Sequence, residues 1–441
     1  MKTLLACLLA LATLFTGPLA RAQGEAAPAD IALRLLDRLD AGDYAGAEAM
    51  FDAQMAAAVP AAKLQAVWES LPAQAGAATG RGTPELRDLP DARLVVVPLA
   101  HERMALTAQV VIAPDGKISG FLVKPAQAPQ APPAPPAADA SYVERDIAVG
   151  PETRALPGTL ALPKAASAAA PVAAVVLVHG SGPHDRDETI GPNRPFLDIA
   201  RGLAERGIAA LRYDKRTHAR PQDVGADITI DAETTDDAVA AVEALRKVEG
   251  IDPARIFVLG HSQGGMLAPR IAARSGHVAG LVLLAAPARP LLDILVEQNR
   301  RLAVLDDGKT SDAERAAITA LEAQVRAART QPDAKPEALP LNLPQGYWKS
   351  VDAVDPVAEA QALAKPVLLL QGARDIQVVD ADWQAWKEGL HGAKDATFKL
   401  YPALNHLGIA GEGEGSLAEY MQPGHVDATL VSDIAAWVDA H

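Results

Sequence analysis

The stretch Gly260-His261-Ser262-Gln263-Gly264 decides the fold of this chain. The apolar residues 255–259 before it predict a buried strand, and residues 266–274 after it have the spacing of a helix. A serine at such a strand-to-helix turn sits on a tight, strained backbone, because a β-carbon on either flanking glycine would crowd the strand and the helix. The pattern therefore predicts that Ser262 is a catalytic nucleophile rather than part of a structural Gly/Ser turn.

A serine hydroxyl needs a general base, and the base needs an acid that orients it. The apolar strand at 366–370 runs into a glycine-containing turn that carries Asp375. The alternating strand at 396–401 is followed by His406. The order Ser, Asp, His along the chain is the order used with the nucleophile elbow of α/β-hydrolases. We therefore predict Asp375 as the acid and His406 as the base, against a turn-capping aspartate and a surface-loop histidine.

The oxyanion hole is expected from two backbone amides, one directly after the nucleophile and one from an earlier strand-to-helix loop. Gln263 supplies the first amide. The apolar strand at 175–178 ends in His-Gly-Ser-Gly, so Ser181 supplies the second, with Gly182 as the next choice. This loop does not match a dinucleotide fingerprint, because Asp185 stands where the third glycine of that pattern belongs.

Three segments that precede the predicted nucleophile resemble bacterial α/β-hydrolase esterases related to the serine aminopeptidase group. They are residues 179–189, 191–196 and 207–217. The resemblance covers about two thirds of the chain, residues 142–441. It implies an α/β-hydrolase fold with a mostly parallel sheet. Such proteins often carry a small N-terminal domain of unknown function, and residues 28–124 are similar to that domain.

The resemblance also assigns roles to individual residues. Carried over position by position, it implies Ser262 as the nucleophile, with Asp375 and His406 as acid and base. It implies Ser181 and Gln263 as the oxyanion donors, in agreement with the assignment made from the strand ends. The resemblance is specific for the fold and the reaction class, and it says little about the substrate.

The first 22 residues predict a secretory signal peptide. A basic start precedes the apolar residues 4–15, and an Ala-x-Ala site ends at Ala22, where we expect cleavage. A membrane anchor is the alternative, but the apolar stretch is too short to span a bilayer comfortably. Cys7 is the one cysteine of the chain and leaves with the signal, so the mature chain forms no disulfide. We expect an exported protein, periplasmic or, as the alternative, secreted to the medium.

Composition restricts the partners and cofactors of the protein. The formal net charge of −14 over 441 residues opposes nonspecific binding to nucleic acid. The ten histidines are scattered, and neither a His-Glu-x-x-His motif nor a close His/Asp cluster indicates a metal site. We therefore expect no metal, no cofactor and no nucleic-acid partner. The expected partner is a small-molecule ester, and a homodimer through the N-terminal domain or the cap is left open.

Two folding units joined by a linker are expected. Residues 28–124 change from helical spacing to strand alternation, which predicts a small α+β domain with a nuclear-transport-factor or cystatin shape. This domain is either a spacer or dimerisation module or a ligand-holding cone. Residues 125–141, Pro- and Ala-rich, predict an extended linker, and residues 142–441 alternate strand and helix. Within the first domain we expect helices over 31–39, 44–55 and 61–71, and strands over 93–99, 104–112 and 118–123.

Residues 288–350 interrupt the alternation of strands and helices in the second unit. We expect this insertion to form a helical cap over the active site, with an ordinary surface insertion as the alternative. Tyr347 and Trp348 close the insertion and either line the acyl pocket or pack between helices. His184, just past the oxyanion loop, either contacts polar groups of the substrate or belongs to a network that orders its loop.

Together these features predict a serine hydrolase that cleaves carboxylic esters through an acyl-enzyme on a Ser-His-Asp triad. A serine peptidase or aminopeptidase and an acyltransferase would use the same triad. A non-catalytic envelope-binding protein on a hydrolase fold is the remaining alternative. The complete set of Ser, Asp and His argues against it, because a decayed site usually loses one member.

Overall fold

The chain divides into two compact units, one that ends at Ala131 and one that begins at Pro132. The expected signal peptide, residues 1–22, and the middle of the expected linker, residues 127–131, lie outside the described part of the chain. No helix within the described ranges is both long enough and apolar enough to span a lipid bilayer. The computed structural model describes residues 27–89, 92–102, 104–126, 132–225, 227–305 and 308–441.

Helices come first in the N-terminal unit. The first of them buries Ile31, Leu35 and Leu39, which share one face because they are spaced four residues apart. This stripe packs against the inner side of the sheet that follows, where Val95 and Val97 are fully buried. The helices are α1 Pro28–Asp40, α2 Tyr44–Glu48, α3 Ala53–Ala58 and α4 Ala61–Ala75.

The sheet of the N-terminal unit contains β1 Ala78–Arg81, β2 Glu85–Leu89, β3 Ala92–His101, β4 Leu106–Ile112 and β5 Ile118–Pro125. Strands β3, β4 and β5 form an antiparallel meander, and both β1 and β2 pair with β3. The last three strands follow the predicted ranges closely. The first two were not predicted from the sequence.

An eight-stranded sheet forms the centre of the second unit. Its strands are β6 Tyr142–Val149, β7 Leu156–Pro163, β8 Val172–Val178, β9 Ala209–Tyr213, β10 Ile251–His261, β11 Leu281–Leu284, β12 Val367–Gly372 and β13 Ala396–Tyr401. They lie in the order β13-β12-β11-β10-β8-β9-β7-β6. The strands from β8 to β13 run parallel, while β6 and β7 form an antiparallel pair at one edge.

Helices cover both faces of this sheet. Leu267 and Ile271 belong to the core on one face, whereas Phe196 and Ile199 belong to the core on the other. A π-helical segment, Asp231–Thr235, leads directly into the seventh helix of the chain. The helices are α5 Pro195–Glu205, α6 Arg216–Ala219, α7 Asp236–Leu245, α8 Gln263–Ser275, α9 Leu291–Leu305, α10 Asp312–Thr330, α11 Gln345–Asp352, α12 Pro356–Leu363, α13 Asp380–Gly389 and α14 Ala428–Ala440.

The order in which strands are added to the sheet reverses at β8. Strand β9 lies on one side of β8, and the next strand, β10, lies on the other. In parallel α/β sheets, such a switch point opens a crevice at the carboxyl ends of the strands. Gly260 lies opposite Val178, and His261 lies opposite Leu284, so β8, β10 and β11 end at the same level. The loops that carry the predicted site residues therefore meet at one edge.

Helices α9 to α12 fill the interval between β11 and β12, which includes the insertion expected at 288–350. The mostly parallel sheet, the helical insertion and the separate α+β unit agree with the predicted α/β-hydrolase architecture.

Candidate active site

Ser262 occupies the turn between β10 and α8. Its backbone has φ +52° and ψ −120°, a region that a residue with a β-carbon enters at a cost of about 1–3 kcal/mol. The Ser262 amide donates a hydrogen bond of 2.9 Å to the carbonyl oxygen of Leu284 at the end of β11. This bond ties the strained turn to the sheet, and the Ser262 side chain is only partly buried.

Close backbone contacts explain the two glycines that flank this serine. A β-carbon on Gly264 would lie 2.2 Å from the carbonyl oxygen of Val178, and one on Gly260 would lie 2.2 Å from the carbonyl oxygen of Gly264. Neither contact is sterically allowed, and in both the clashing atom belongs to the backbone. The glycines thus allow α8 to approach β8 and β10 closely enough to form the turn.

The structure brings Asp375 and His406 together. His406 Nδ1 donates a hydrogen bond of 2.8 Å to Asp375 Oδ2, and both side chains are almost completely buried. Gln371 Nε2 donates to the same oxygen at 3.1 Å. The other carboxylate oxygen accepts the amides of Gln377 at 2.8 Å and Val378 at 3.0 Å. The carboxylate is therefore held in one orientation, and so is the imidazole bonded to it. No hydrogen bond joins Ser262 Oγ to His406 in the described part of the chain.

Two further buried residues, His261 and Glu188, hold the site together, and the sequence analysis did not single them out. His261 Nε2 lies 2.9 Å from the carbonyl oxygen of His406, and His261 Nδ1 lies 2.9 Å from Glu188 Oε2. Glu188 Oε1 accepts the amide of Gly180 at 2.7 Å. One carboxylate is thus connected to the oxyanion loop, to the residue before the nucleophile and, through it, to the predicted base.

Charge and burial act in opposite directions on this pair. Burial by itself would raise the pKa of the Glu188 carboxyl, but the His261 imidazole outweighs it and lowers that pKa to about 2. Burial by itself would lower the pKa of His261, yet the Glu188 carboxylate raises it above its ordinary value. The carboxylate of Glu188 therefore favours the charged form of the His261 ring.

The predicted oxyanion loop lies directly against the nucleophile. A β-carbon on Gly180 would lie 3.2 Å from the β-carbon of Ser262. Ser181 is exposed, and Gly182 adopts φ +102°, which favours glycine. Gln263 is the first residue of α8, so its amide is one of the first-turn N–H groups that lack a partner within the helix. The two predicted donor amides thus lie on the two segments that adjoin Ser262.

Tyr347 reaches the site from the insertion, but its hydroxyl already has partners within the protein. It donates to Glu233 Oε2 at 2.7 Å and accepts from Gln263 Nε2 at 3.4 Å. Burial, followed by the Glu233 carboxylate, raises the pKa of the Tyr347 phenol well above its ordinary value. Trp348 is buried and donates from Nε1 to the carbonyl oxygen of Pro340 at 3.0 Å, a contact that favours packing within the insertion.

The charged segment after the oxyanion loop is ordered by its own contacts. His184 Nε2 donates to the carbonyl oxygen of Ser181 at 2.7 Å. Arg186 pairs with Asp214, and Asp187 pairs with Arg212. These bonds favour the loop-ordering interpretation of His184 and its neighbours. Within the described residues, no group of three or more His, Cys, Asp or Glu side chains is arranged to hold a metal ion.

Residues 169–412 match the family described as serine aminopeptidase S33. The chain belongs to the serine aminopeptidase S33 family. Residues 32–121 also match a family of proteins of unknown function, so the predicted N-terminal relationship is confirmed. The match to the S33 family spans the elbow, the oxyanion loop, Asp375 and His406, and therefore includes every proposed catalytic position.

A curated relative of the family extends the comparison to both units. Esterase EstD of Thermotoga maritima is 35% identical over 407 residues, which are 92% of this chain and 94% of that protein. The prediction of an α/β-hydrolase enzyme of the carboxylesterase type is therefore confirmed.

Two solved esterase structures are also similar to the chain. The Pyrococcus furiosus esterase Pf2001 has a TM-score of 0.45 and 16% identity, and the match covers 71% of this chain and 96% of that one. Est1E from Butyrivibrio proteoclasticus has a TM-score of 0.43 and 19% identity, with coverages of 67% and 99%.

Proposed function

We propose that the protein hydrolyses carboxylic esters through an acyl-enzyme formed on Ser262. His406 Nε2 takes the proton of the Ser262 hydroxyl while Oγ attacks the ester carbonyl carbon. The tetrahedral intermediate then collapses, and His406 gives the proton to the leaving alcohol. A water molecule, activated by His406 in the same way, attacks the acyl group and releases the carboxylic acid.

The observation that carries this proposal is the hydrogen bond of 2.8 Å between His406 Nδ1 and Asp375 Oδ2. Because Nδ1 carries the proton in this bond, the neutral imidazole presents its basic nitrogen at Nε2, as a general base requires. Asp375 also stabilises the imidazolium that forms when His406 takes the serine proton. The amides of Gln377 and Val378 occupy the other carboxylate oxygen, so Asp375 stays in the orientation that this role needs.

The oxyanion would be bound by the amides of Ser181 and Gln263. Both follow strands that end at the same level of the sheet, and both belong to segments in contact with Ser262. The Gln263 amide also lies at the N-terminus of a 13-residue helix, where negative charge is stabilised by the helix dipole. Two fixed donors would stabilise the charge that develops in the transition state more than the ester ground state.

An aminopeptidase needs an acidic group that is available to bind the substrate's amine. Glu233 is connected to Gln263 through Tyr347, but its two oxygens contact Lys215 at 3.1 Å and Tyr347 at 2.7 Å. A carboxylate paired in this way is not available to an ammonium group of the substrate. Glu233 is therefore not the amine-binding group that an aminoacyl substrate would need.

A panel of p-nitrophenyl esters and aminoacyl p-nitroanilides tests the proposal on the wild-type protein, on Ser262→Ala and on Ser167→Ala. Ser167 is exposed and precedes β8, at the end of that strand opposite the oxyanion loop, so it is a matched control. We expect turnover of esters by wild type and Ser167→Ala, and only the uncatalysed rate with Ser262→Ala. Ester turnover that survives in Ser262→Ala, or faster cleavage of anilides than of esters, would contradict the proposal.

A further inference from the structure

Lys215 is a buried cation directly beside the proposed oxyanion hole. It follows β9, and its side chain is only 2% exposed. Its ammonium donates 2.8 Å to the carbonyl oxygen of Gly180 and 3.2 Å to Gln263 Oε1, and it lies 3.1 Å from Glu233 Oε1. Burying a lysine ammonium this deeply costs considerable desolvation energy, which its three contacts must offset. The place of those contacts beside the oxyanion loop indicates a role there.

The carbonyl that Lys215 binds belongs to the same peptide group as the proposed oxyanion donor. The C=O of Gly180 and the N–H of Ser181 share one planar trans peptide unit, in which the two bonds point in opposite directions. A cation fixed on the oxygen therefore fixes the direction of the N–H. It also draws electron density toward the oxygen, which makes the N–H a stronger donor.

The preceding peptide group is fixed as well. Glu188 Oε1 accepts the amide of Gly180 at 2.7 Å. The residue before Ser181 is thus held at its amide by a buried carboxylate and at its carbonyl by a buried ammonium. A short exposed loop would otherwise sample several orientations of this peptide, and each would move the donor away from the oxyanion.

Lys215 is itself held in place by the insertion. Glu233, in the π-helical segment before α7, balances its charge, and Tyr347 of α11 donates to the other oxygen of Glu233 at 2.7 Å. Tyr347 also accepts from the side chain of Gln263, which bonds back to Lys215. The four side chains form a closed ring that connects the insertion to both segments that carry the proposed oxyanion donors.

We propose that Lys215 is a positioning residue of the oxyanion hole, which orients and polarises the peptide whose N–H is that of Ser181, and that Glu233 and Tyr347 hold it there. This inference rests on the proposed function, because it takes the Ser181 amide as an oxyanion donor. Lys215 does not touch the substrate. Its effect is therefore expected in the transition state and not in the binding of the ester.

Lys215→Met removes the ammonium while it keeps the length of the side chain. Lys215→Met/Glu233→Gln also removes the charge that the single variant would leave unpaired. Arg216→Met is the matched control, because Arg216 is the next residue, is buried, and pairs with Asp237 and Asp223 without contacting the oxyanion loop. Each variant is first compared with wild type by circular dichroism and thermal unfolding.

Two inhibitors with the same carbon skeleton distinguish stabilisation of the oxyanion from ordinary binding in the substrate site. An aryl trifluoromethyl ketone forms a hemiketal oxyanion on a catalytic serine, whereas the corresponding carbinol forms none. With either Lys215 variant we expect ketone affinity and kcat to fall between about 10-fold and 10²-fold, below the 10²–10³-fold that loss of an oxyanion donor causes. Carbinol affinity and KM should change less than about 3-fold, and Arg216→Met should leave all four quantities near wild type.

Ketone affinity that is unchanged in a folded Lys215 variant, or that falls in parallel with carbinol affinity, would overturn the inference. Failure of both Lys215 variants to fold would also overturn it, because Lys215 would then be a residue of the fold. Failure of the proposed function gives a different result. In that case the wild-type protein itself forms no covalent ketone adduct on Ser262 by mass spectrometry, whatever the Lys215 variants do.

Discussion

His261 Nε2 donates a hydrogen bond of 2.9 Å to the backbone carbonyl oxygen of His406. The residue before the nucleophile thus holds the backbone of the proposed base, across 145 positions of sequence. Glu188, whose carboxylate lies 2.9 Å from the other ring nitrogen of His261, favours the charged ring and so strengthens Nε2 as a donor. The buried pair of Glu188 and His261 therefore connects the elbow to the loop that carries the base.

Glu188→Gln should reduce turnover without loss of substrate binding. The neutral amide no longer favours the imidazolium of His261, and the bond to the His406 carbonyl weakens. We expect kcat to fall on the order of 10-fold with KM nearly constant, in line with one charge-assisted hydrogen bond. Glu48→Gln is the control, because Glu48 also accepts a backbone amide, that of Ala61 at 2.7 Å, but within the N-terminal unit. If the two variants had equal kcat and KM, Glu188 would have no role in positioning the base.

The contact between Glu188 and His261 also predicts how the Tm of Glu188→Gln differs from that of wild type as the pH changes. The pKa of Glu188 falls from 4.5 to about 2 on folding, so its contribution is present above pH 4.5 and is lost as the pH falls toward 2. The pKa of His261 rises above 6.5, so its contribution is complete below pH 6.5 and is lost as the pH rises through the raised value. The difference in Tm between wild type and Glu188→Gln should be largest between these two limits. A difference that grows steadily toward alkaline pH would be inconsistent with the ion pair.

Asp375→Asn should retain the fold and substrate binding but lose most of its turnover. In the variant, the asparagine side-chain amide replaces the carboxylate that accepts the His406 Nδ1 proton. The imidazole is therefore no longer held in the productive tautomer. In the well-studied serine-protease template the loss in kcat is on the order of 10⁴. We expect a comparable loss in kcat on p-nitrophenyl esters, measured at saturating substrate.

Asp380→Asn is the control for this variant. Asp380 begins α13 and accepts a hydrogen bond from Gln384, and Asp382 is buried against Arg289, so neither contacts His406. Asp380→Asn should behave as wild type. A nearly silent Asp375→Asn would show that the acid lies elsewhere.

The hydrolase unit should act on small esters without the N-terminal unit. The second compact unit begins at Pro132, and the carbonyl of Ala134 accepts a hydrogen bond of 2.8 Å from Arg201. We therefore expect a chain that starts at Pro132 to fold and to keep wild-type kcat/KM on p-nitrophenyl acetate. A chain that starts at Ala140 lacks this bond and should unfold at a slightly lower Tm. If the chain from Pro132 is folded but inactive, the N-terminal unit contributes to the active site.

The sequence predicted most of the second unit because its parallel strands are short, mostly apolar runs separated by helical segments. The strands predicted at 366–370 and 396–401 are observed at Val367–Gly372 and Ala396–Tyr401. In a parallel sheet the carboxyl ends of the strands share one edge, so the residues that follow them could be placed together without coordinates. This is why Ser262, Asp375 and His406 could be predicted to share one edge of the sheet.

The buried network was not predicted, because no local pattern identifies its members. Glu188 and Lys215 are charged residues in segments rich in charged residues, where solvent exposure is the usual expectation. They are buried because the chain places each beside a partner that is distant in sequence, His261 for Glu188 and Glu233 for Lys215. A signal was available only at His261, which directly precedes the nucleophile.

The N-terminal unit shows where local patterns are weakest. Strands β1 and β2 were missed because they are mostly exposed and polar, and pairing with β3 is what orders them. The single helix expected at 44–55 is interrupted. Phe51 pairs with Ile118 of the sheet, and the Asp52 side chain then caps α3 by accepting the amide of Met55 at 2.7 Å.

The most direct test of the account is detection of the acyl-enzyme itself. Wild-type protein is mixed with a p-nitrophenyl ester, quenched in acid within the first turnovers, and digested for peptide mass spectrometry. The account predicts one added acyl group on the peptide that contains Ser262, formed together with a burst of nitrophenol, and no such group in Ser262→Ala. Nitrophenol release without any acylated peptide, or acylation of a different residue in the active enzyme, would contradict it.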